Sequence, residues 1–125
     1  MSAFVVIALS LAGGVGAACR LVLDGFLRSR INTTYPIGTT VINISGSFLL
    51  GLVTGLALTH IVAVEWRLIL GTGFLGGYTT FSTASFETVR LAQGGRYLAA
   101  LTNGLGMLAG ALLAAGAGLW LGSLT

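Results

Sequence analysis

Hydrophobic residues occur along the chain in four long runs, and the short segments between the runs carry nearly all of the charges. The runs cover residues 3–23, 37–64, 68–86 (extending to 91) and 97–124. A helix needs about 20 apolar residues to cross a bilayer core about 30 Å thick, and none of the runs alternates as a barrel strand does. The pattern predicts an all-α membrane protein, with residues 1–125 forming a single domain of four transmembrane helices.

The composition agrees with a chain whose solvent is mainly lipid. Hydrophobic residues make up 55% of the sequence, charged residues 7%, and 20 of the 125 residues are glycine, whereas soluble domains carry about a quarter charged residues and about 7% glycine. The single cysteine, Cys19, excludes an intrachain disulfide. The one histidine, His60, has no acidic neighbour within a helical turn. We therefore predict no catalytic residues and no enzymatic activity.

The arginines are distributed unequally between the two predicted faces of the membrane. One face carries only Arg67, beside Glu65. The connections on the other face and the helix ends beside them carry the other five, which are Arg20, Arg28, Arg30, Arg90 and Arg96. Loops rich in arginine stay in the cytoplasm. The bias predicts that the first and third connections lie inside and that both termini lie outside.

The third run has an interior that is unfavourable for a continuous helix. Gly76-Gly77 is followed closely by Thr79-Thr80, and both pairs have low helix propensity. We predict that this helix breaks in the middle of the membrane. Backbone carbonyls freed by such a break are good ligands for a hard cation. An alternative is that the glycines simply allow neighbouring helices to pack closely.

The second run carries a polar stripe. Thr39, Asn43 and Ser47 follow one another at intervals of four residues and therefore share one helix face. This face could bind a ligand, or it could hydrogen-bond to another helix. Because the spans contain no acid away from their ends, a proton-coupled carrier and a carboxylate cation site are both unsupported. Hydrogen-bond donors without acids suit an anion.

Three ordered motifs carry a resemblance to a known family. They are GGVGAACR at residues 13–20, GTTVINISGSF at 38–48 and GGYTTFST at 76–83. In sequence, order and spacing they resemble the Fluc fluoride channels, closely over the first three spans and only in length and glycine content over the fourth. The resemblance implies an antiparallel dimer with two narrow fluoride pathways, passive export of fluoride, and a structural sodium ion at the dimer centre.

The resemblance also implies roles for individual residues. Asn43 and Phe81 would face the ion path, and Arg20 would lie near the cytoplasmic vestibule. The backbone carbonyls of Gly76 and Thr79 would hold the sodium ion. Further polar neighbours of the path would be Thr39, Ser47, Thr80 and Ser82.

Two positions depart from the family pattern. Ala84 stands where a second phenylalanine is usual, and Met107 stands where a pore-side serine is usual. These losses and the one-sided charge bias favour pairing with a homologous subunit of opposite orientation, although a homodimer remains the alternative. Two rival functions are a non-conducting or accessory subunit and a small multidrug exporter. The exporter class depends on a glutamate in its first helix, and this chain has no acid before Asp24.

Overall fold

A computed structural model describes all residues from Met1 to Thr125, and every regular element in it is helical. Three helices are long and apolar enough to cross a membrane: α1 (Ala3–Arg30), α2 (Ile37–Leu58) and α5 (Tyr97–Ser123). Between α2 and α5 lie two shorter helices. The first, α3, comprises Val64–Arg67, a π-helical stretch Leu68–Leu75 and Gly76–Tyr78, and the second, α4, is Phe81–Gln93. Helix α5 also contains a π-helical stretch, Thr102–Gly106.

The third hydrophobic run is interrupted at Thr79 and Thr80, so the predicted break is present. Thr79 has ψ 160° and Thr80 has φ −147° and ψ 121°, which are extended conformations. The Gly76-Gly77 pair is itself helical, and the chain leaves the helix only after Tyr78. The Thr80 side chain then accepts a hydrogen bond of 3.1 Å from the Thr83 N–H and caps α4. Neither half alone has the length of a membrane span.

Helix α2 is shorter than the hydrophobic run that contains it. The run extends to residue 64, but the helix ends at Leu58. His60 then adopts a left-handed conformation with φ 63°, and the Ile61 N–H bonds back to the Leu56 carbonyl at 3.0 Å. This is the Schellman arrangement that ends many helices, with histidine at the position usually taken by glycine.

Glycines allow close contact along two pairs of helices. In the pair α2 and α5, a Cβ on Gly55 would lie 2.6 Å from the Leu119 carbonyl oxygen, and one on Gly118 would overlap the Phe48 carbonyl. In the pair α1 and α3, a Cβ on Gly73 would lie 2.7 Å from the Leu9 carbonyl oxygen. Small residues at membrane helix interfaces let backbones approach in this way. Helix α3 therefore shows both features considered for its glycines, close packing against a neighbouring helix and an interruption of the helix.

Little apolar surface is enclosed within a single chain. The buried hydrophobic cluster consists of Ile42, Leu75 and Tyr78, while most large aliphatic side chains on the outside of α1 and α5 are exposed. Such a distribution fits helices surrounded by lipid, because exposing an apolar side chain to equally apolar lipid tails has no free-energy cost.

Candidate functional site: a polar groove at the helix break

A groove of about 760 Å³ runs beside the interruption between α3 and α4. Its walls come from α2, α3, α4 and α5, and we call it the polar groove. No carboxylate lines it. The lining residues that matter for its chemistry are Asn43, Ser47, Thr79, Thr80, Asn103 and Met107.

The Asn43 side chain binds both polar groups of the Thr80 backbone. Its Nδ2 donates to the Thr80 carbonyl at 2.8 Å, and its Oδ1 accepts from the Thr80 N–H at 2.8 Å. A chain that leaves the helical conformation in lipid must find new partners for its backbone groups. Asn43 on α2 supplies two of those partners, so it stabilises the break between α3 and α4.

The remaining donor of Asn43 contacts a sulfur atom. Its Nδ2 lies 3.1 Å from the Met107 Sδ, and Met107 is buried at the end of the π-helical stretch in α5. A primary amide has two N–H donors, and in this conformation one binds the Thr80 carbonyl and the other binds Met107. Because a thioether is a weak acceptor, the second donor is the one that a stronger acceptor could take.

The break also releases a carbonyl near the groove. In an unbroken helix the Thr80 N–H would bond to the Gly76 carbonyl, but here it bonds to Asn43. Gly76 is exposed on the surface of the chain. The Thr79 N–H, by contrast, still bonds to the Leu75 carbonyl at 2.9 Å. The interruption therefore removes the helical hydrogen bond that the Gly76 carbonyl would otherwise accept from the Thr80 N–H.

A second amide, Asn103, also lines the groove. It is 1% exposed, its Nδ2 donates to the Thr88 Oγ1 at 2.8 Å, and its Oδ1 is buried without a hydrogen-bond partner. The sequence gives Asn103 and Thr88 no shared motif, since they lie 15 residues apart on different helices. The π-helical stretch that holds Asn103 is a feature common at functional sites, but it has no clear sequence signal.

The other candidate residues occupy different places. Ser47 lines the groove beside Asn43, and Phe81 lies at its edge with 87% of its surface exposed. Thr39 is 2% exposed and does not line the groove. Ser82 is exposed, with its hydroxyl 3.4 Å from that of Thr80. Arg20 is half-buried, and its Nε has no partner within the chain.

The chain has helices that pack through glycine, a helix broken within its apolar run and a polar groove at that break. These features are typical of a multi-pass membrane protein of the transport type. The family model described as CrcB-like protein, Camphor Resistance (CrcB), matches residues 7–119. The chain belongs to the CrcB-like family, and the resemblance carried by its three motifs is confirmed.

Several relatives extend over almost the whole chain. One from Leifsonia xyli subsp. xyli, named Fluoride-specific ion channel FluC 1, is 64% identical over 124 residues, which is 99% of this chain and 90% of the relative. Fluoride-specific ion channel FluC 2 from Cutibacterium acnes is 52% identical over 90% of this chain and 93% of its own length. Fluoride-specific ion channel FluC from Geobacter metallireducens is 39% identical over 96% and 94%.

Proposed function

We propose that this protein is a subunit of a fluoride-specific ion channel that lets fluoride leave the cell passively. The similarity to FluC 1 over nearly the whole chain carries the proposal. The polar groove is chemically compatible, because its side chains offer amide and hydroxyl donors and no carboxylate. Fluoride is a small, strongly hydrated anion, and donors that replace its water lower the cost of bringing it into a dry pathway.

We place the ion path along the polar groove, with Asn43 and Phe81 as its principal residues. The exposed Phe81 ring can offer its positive edge to an anion, and the Asn43 donor now on Met107 can turn to the ion. Ser47 and Thr80 contribute hydroxyls from the groove wall. Thr39 and Ser82 do not line the groove and would be polar neighbours of the path, and Arg20 would lie near the cytoplasmic vestibule.

A second subunit in antiparallel orientation would close the open side of the groove. At the centre of that dimer we propose a structural sodium ion held by the carbonyls of Gly76 and Thr79. Gly76 is an exposed residue, and its carbonyl lacks the helical bond from the Thr80 N–H, which fits a hard cation that prefers oxygen ligands. When bound, the cation would offset the cost of an anion nearby.

The charge bias supports a fixed orientation with both termini outside, and therefore a heterodimer in preference to a homodimer. Reporter fusions at the C-terminus test this directly. Reporter activity on one side of the membrane would support the heterodimer. Equal activity on the two sides would show dual insertion and remove the argument against a homodimer.

Fluoride efflux from liposomes tests the main proposal, with chloride efflux as the control. We expect efflux of fluoride but not chloride when the chain is reconstituted with its partner subunit. If the chain alone is active, it forms a working homodimer. If fluoride efflux is absent alone and in the presence of every co-expressed homologue, the channel proposal fails.

Two exposed phenylalanines on α4 provide a matched pair for the ion path. Phe81 borders the polar groove, whereas Phe86, which is 64% exposed, does not. We expect Phe81→Ala to abolish most fluoride efflux while the dimer remains intact by chemical cross-linking, and Phe86→Ala to retain efflux. Equal effects of the two changes would contradict the proposed path.

The contact between Met107 and Asn43 favours a second candidate, a non-conducting or accessory subunit of a heterodimeric channel. In that case the thioether would keep this chain's own pathway closed, and the partner would supply the conducting one. Efflux that requires the partner and is insensitive to Phe81→Ala in this chain would support the accessory role.

A further inference from the structure

A second cavity, of about 660 Å³, lies at the end of the bundle where α1 and α4 finish and α2 and α5 begin. It is separate from the polar groove. We call it the arginine cleft and define it by Arg28, Thr34, Tyr35, Glu87, Arg90 and Arg96, all of which line it. The first and third connections and the arginine-bearing helix ends beside them thus meet at one site.

The cleft has an excess of positive charge. Arg28 pairs with Asp24 at 2.9 Å and with Glu87 at 3.2 Å. Neither Arg90 nor Arg96 pairs with a carboxylate, and the third acid of the chain, Glu65, is at the other end of the bundle. Even with both carboxylates included, three arginines against two acids leave the site net positive.

We propose that the arginine cleft binds a phosphate group, supplied by the headgroup of an anionic lipid or by free phosphate. Arginine is well suited to phosphate because its planar guanidinium donates two parallel hydrogen bonds. Arg96 is already held in place, since its Nη1 donates to the Thr34 Oγ1 at 2.7 Å. Arg90 is free to complete the site from α4.

The surroundings of the cleft suit a ligand at the membrane surface. Ile31 and Phe86 line it and are exposed, so they can contact acyl chains. Tyr35 lines the cleft as well, and its hydroxyl is a donor at neutral pH because a phenol ordinarily has a pKa of about 10. Burial raises the pKa of Tyr35 further. Basic pockets between membrane helices are known binding sites for anionic headgroups. The proposal does not depend on fluoride conduction.

Lipid retention in native mass spectrometry tests the proposal with intact protein. The probes are phosphatidylglycerol and, as a zwitterionic control, phosphatidylcholine. The test variant is Arg90→Gln combined with Arg96→Gln, and the control is Arg67→Gln at the opposite end. We expect the double variant to bind phosphatidylglycerol about twenty-five-fold more weakly, since each arginine near an anionic surface contributes about fivefold. Arg67→Gln is expected to bind it as the parent does.

Inorganic phosphate distinguishes the two sources. Competition at millimolar phosphate would identify a site for free phosphate, whereas phosphatidylglycerol binding that resists it would identify a lipid site. Equal binding of both lipids together with no effect of inorganic phosphate, or an unchanged double variant, would overturn the proposal. A second test needs no variant. We expect phosphatidylglycerol micelles to protect Arg90 and Arg96, but not Arg67, from modification by phenylglyoxal. Equal labelling of the three arginines would also overturn the proposal.

Discussion

Replacing Asn43 with alanine is expected to destabilise the helix break more than any other amide deletion in the chain. The change removes two hydrogen bonds of 2.8 Å and leaves the Thr80 N–H and carbonyl without partners. Each buried group left unsatisfied costs about 1–3 kcal/mol. Hydrogen bonds between membrane helices measure lower, at about 0.6–1.7 kcal/mol. For two bonds we therefore expect a loss of about 2–4 kcal/mol in the free energy of unfolding.

Asn103→Ala is the matched control for this prediction. Asn103 is the other amide that lines the groove, but its one partner is the Thr88 hydroxyl, which keeps its own bond to the Ala84 carbonyl at 2.8 Å. Its removal leaves no backbone group unsatisfied. We expect it to cost about 1 kcal/mol, the value of a single hydrogen bond.

Unfolding in mixed micelles, followed by the fluorescence of Trp66 and Trp120, measures both free energies. Amide hydrogen exchange locates the effect. The Thr80 N–H is expected to exchange much faster in Asn43→Ala and at the parent rate in Asn103→Ala. Equal destabilisation by the two changes, with unaltered protection of the Thr80 amide, would refute the assignment of Asn43 as the stabiliser of the break.

Three further predictions use the same preparations. A Cβ on Gly118 would overlap the Phe48 carbonyl, whereas a Cβ on Gly116 would have no atom within 4 Å. Gly118→Ala is therefore expected to lower the free energy of unfolding by about 1–3 kcal/mol, and Gly116→Ala to leave it unchanged or raise it. Similar losses in the two variants would contradict the close contact at Gly118. His60→Gly is expected to raise the free energy of unfolding by about 1 kcal/mol, because glycine adopts the left-handed φ of this position without strain. A lower free energy of unfolding would argue against strain at His60. Met107→Leu removes the sulfur acceptor at similar volume and is expected to increase fluoride efflux, a result that an unchanged rate would contradict.

The broad architecture was predictable because the relevant signals are local. Lengths of apolar runs set the positions of α1, α2 and α5, and low helix propensity around residues 76–80 predicted the interruption of the third run. The position of the break within that segment was not predictable from propensity, since the glycine pair remains helical and the chain departs at Thr79. A partner 37 residues away, Asn43, decides which backbone groups are released.

The details of the candidate site depend on contacts between distant segments. The pairing of Asn43 with Thr80, its contact with Met107 and the bond from Asn103 to Thr88 all join different helices. The i, i+4 spacing correctly predicted a shared face for Asn43 and Ser47, which both line the groove, but could not show that Thr39 lies outside it. The early end of α2 depends on the left-handed His60, a conformation with no firm sequence signal.

The hydrogen bonds from Asn43 to Thr80 have a consequence for how the chain enters the membrane during synthesis. Residue 43 emerges from the ribosome before residue 80, so α2 can already be in the bilayer when the segment with the break arrives. An interrupted helix entering lipid by itself would bring bare peptide groups into hydrocarbon. Here the amide that binds those groups is already present on a neighbouring helix. The order of synthesis therefore places the hydrogen-bonding partner in the membrane before the peptide groups that need it.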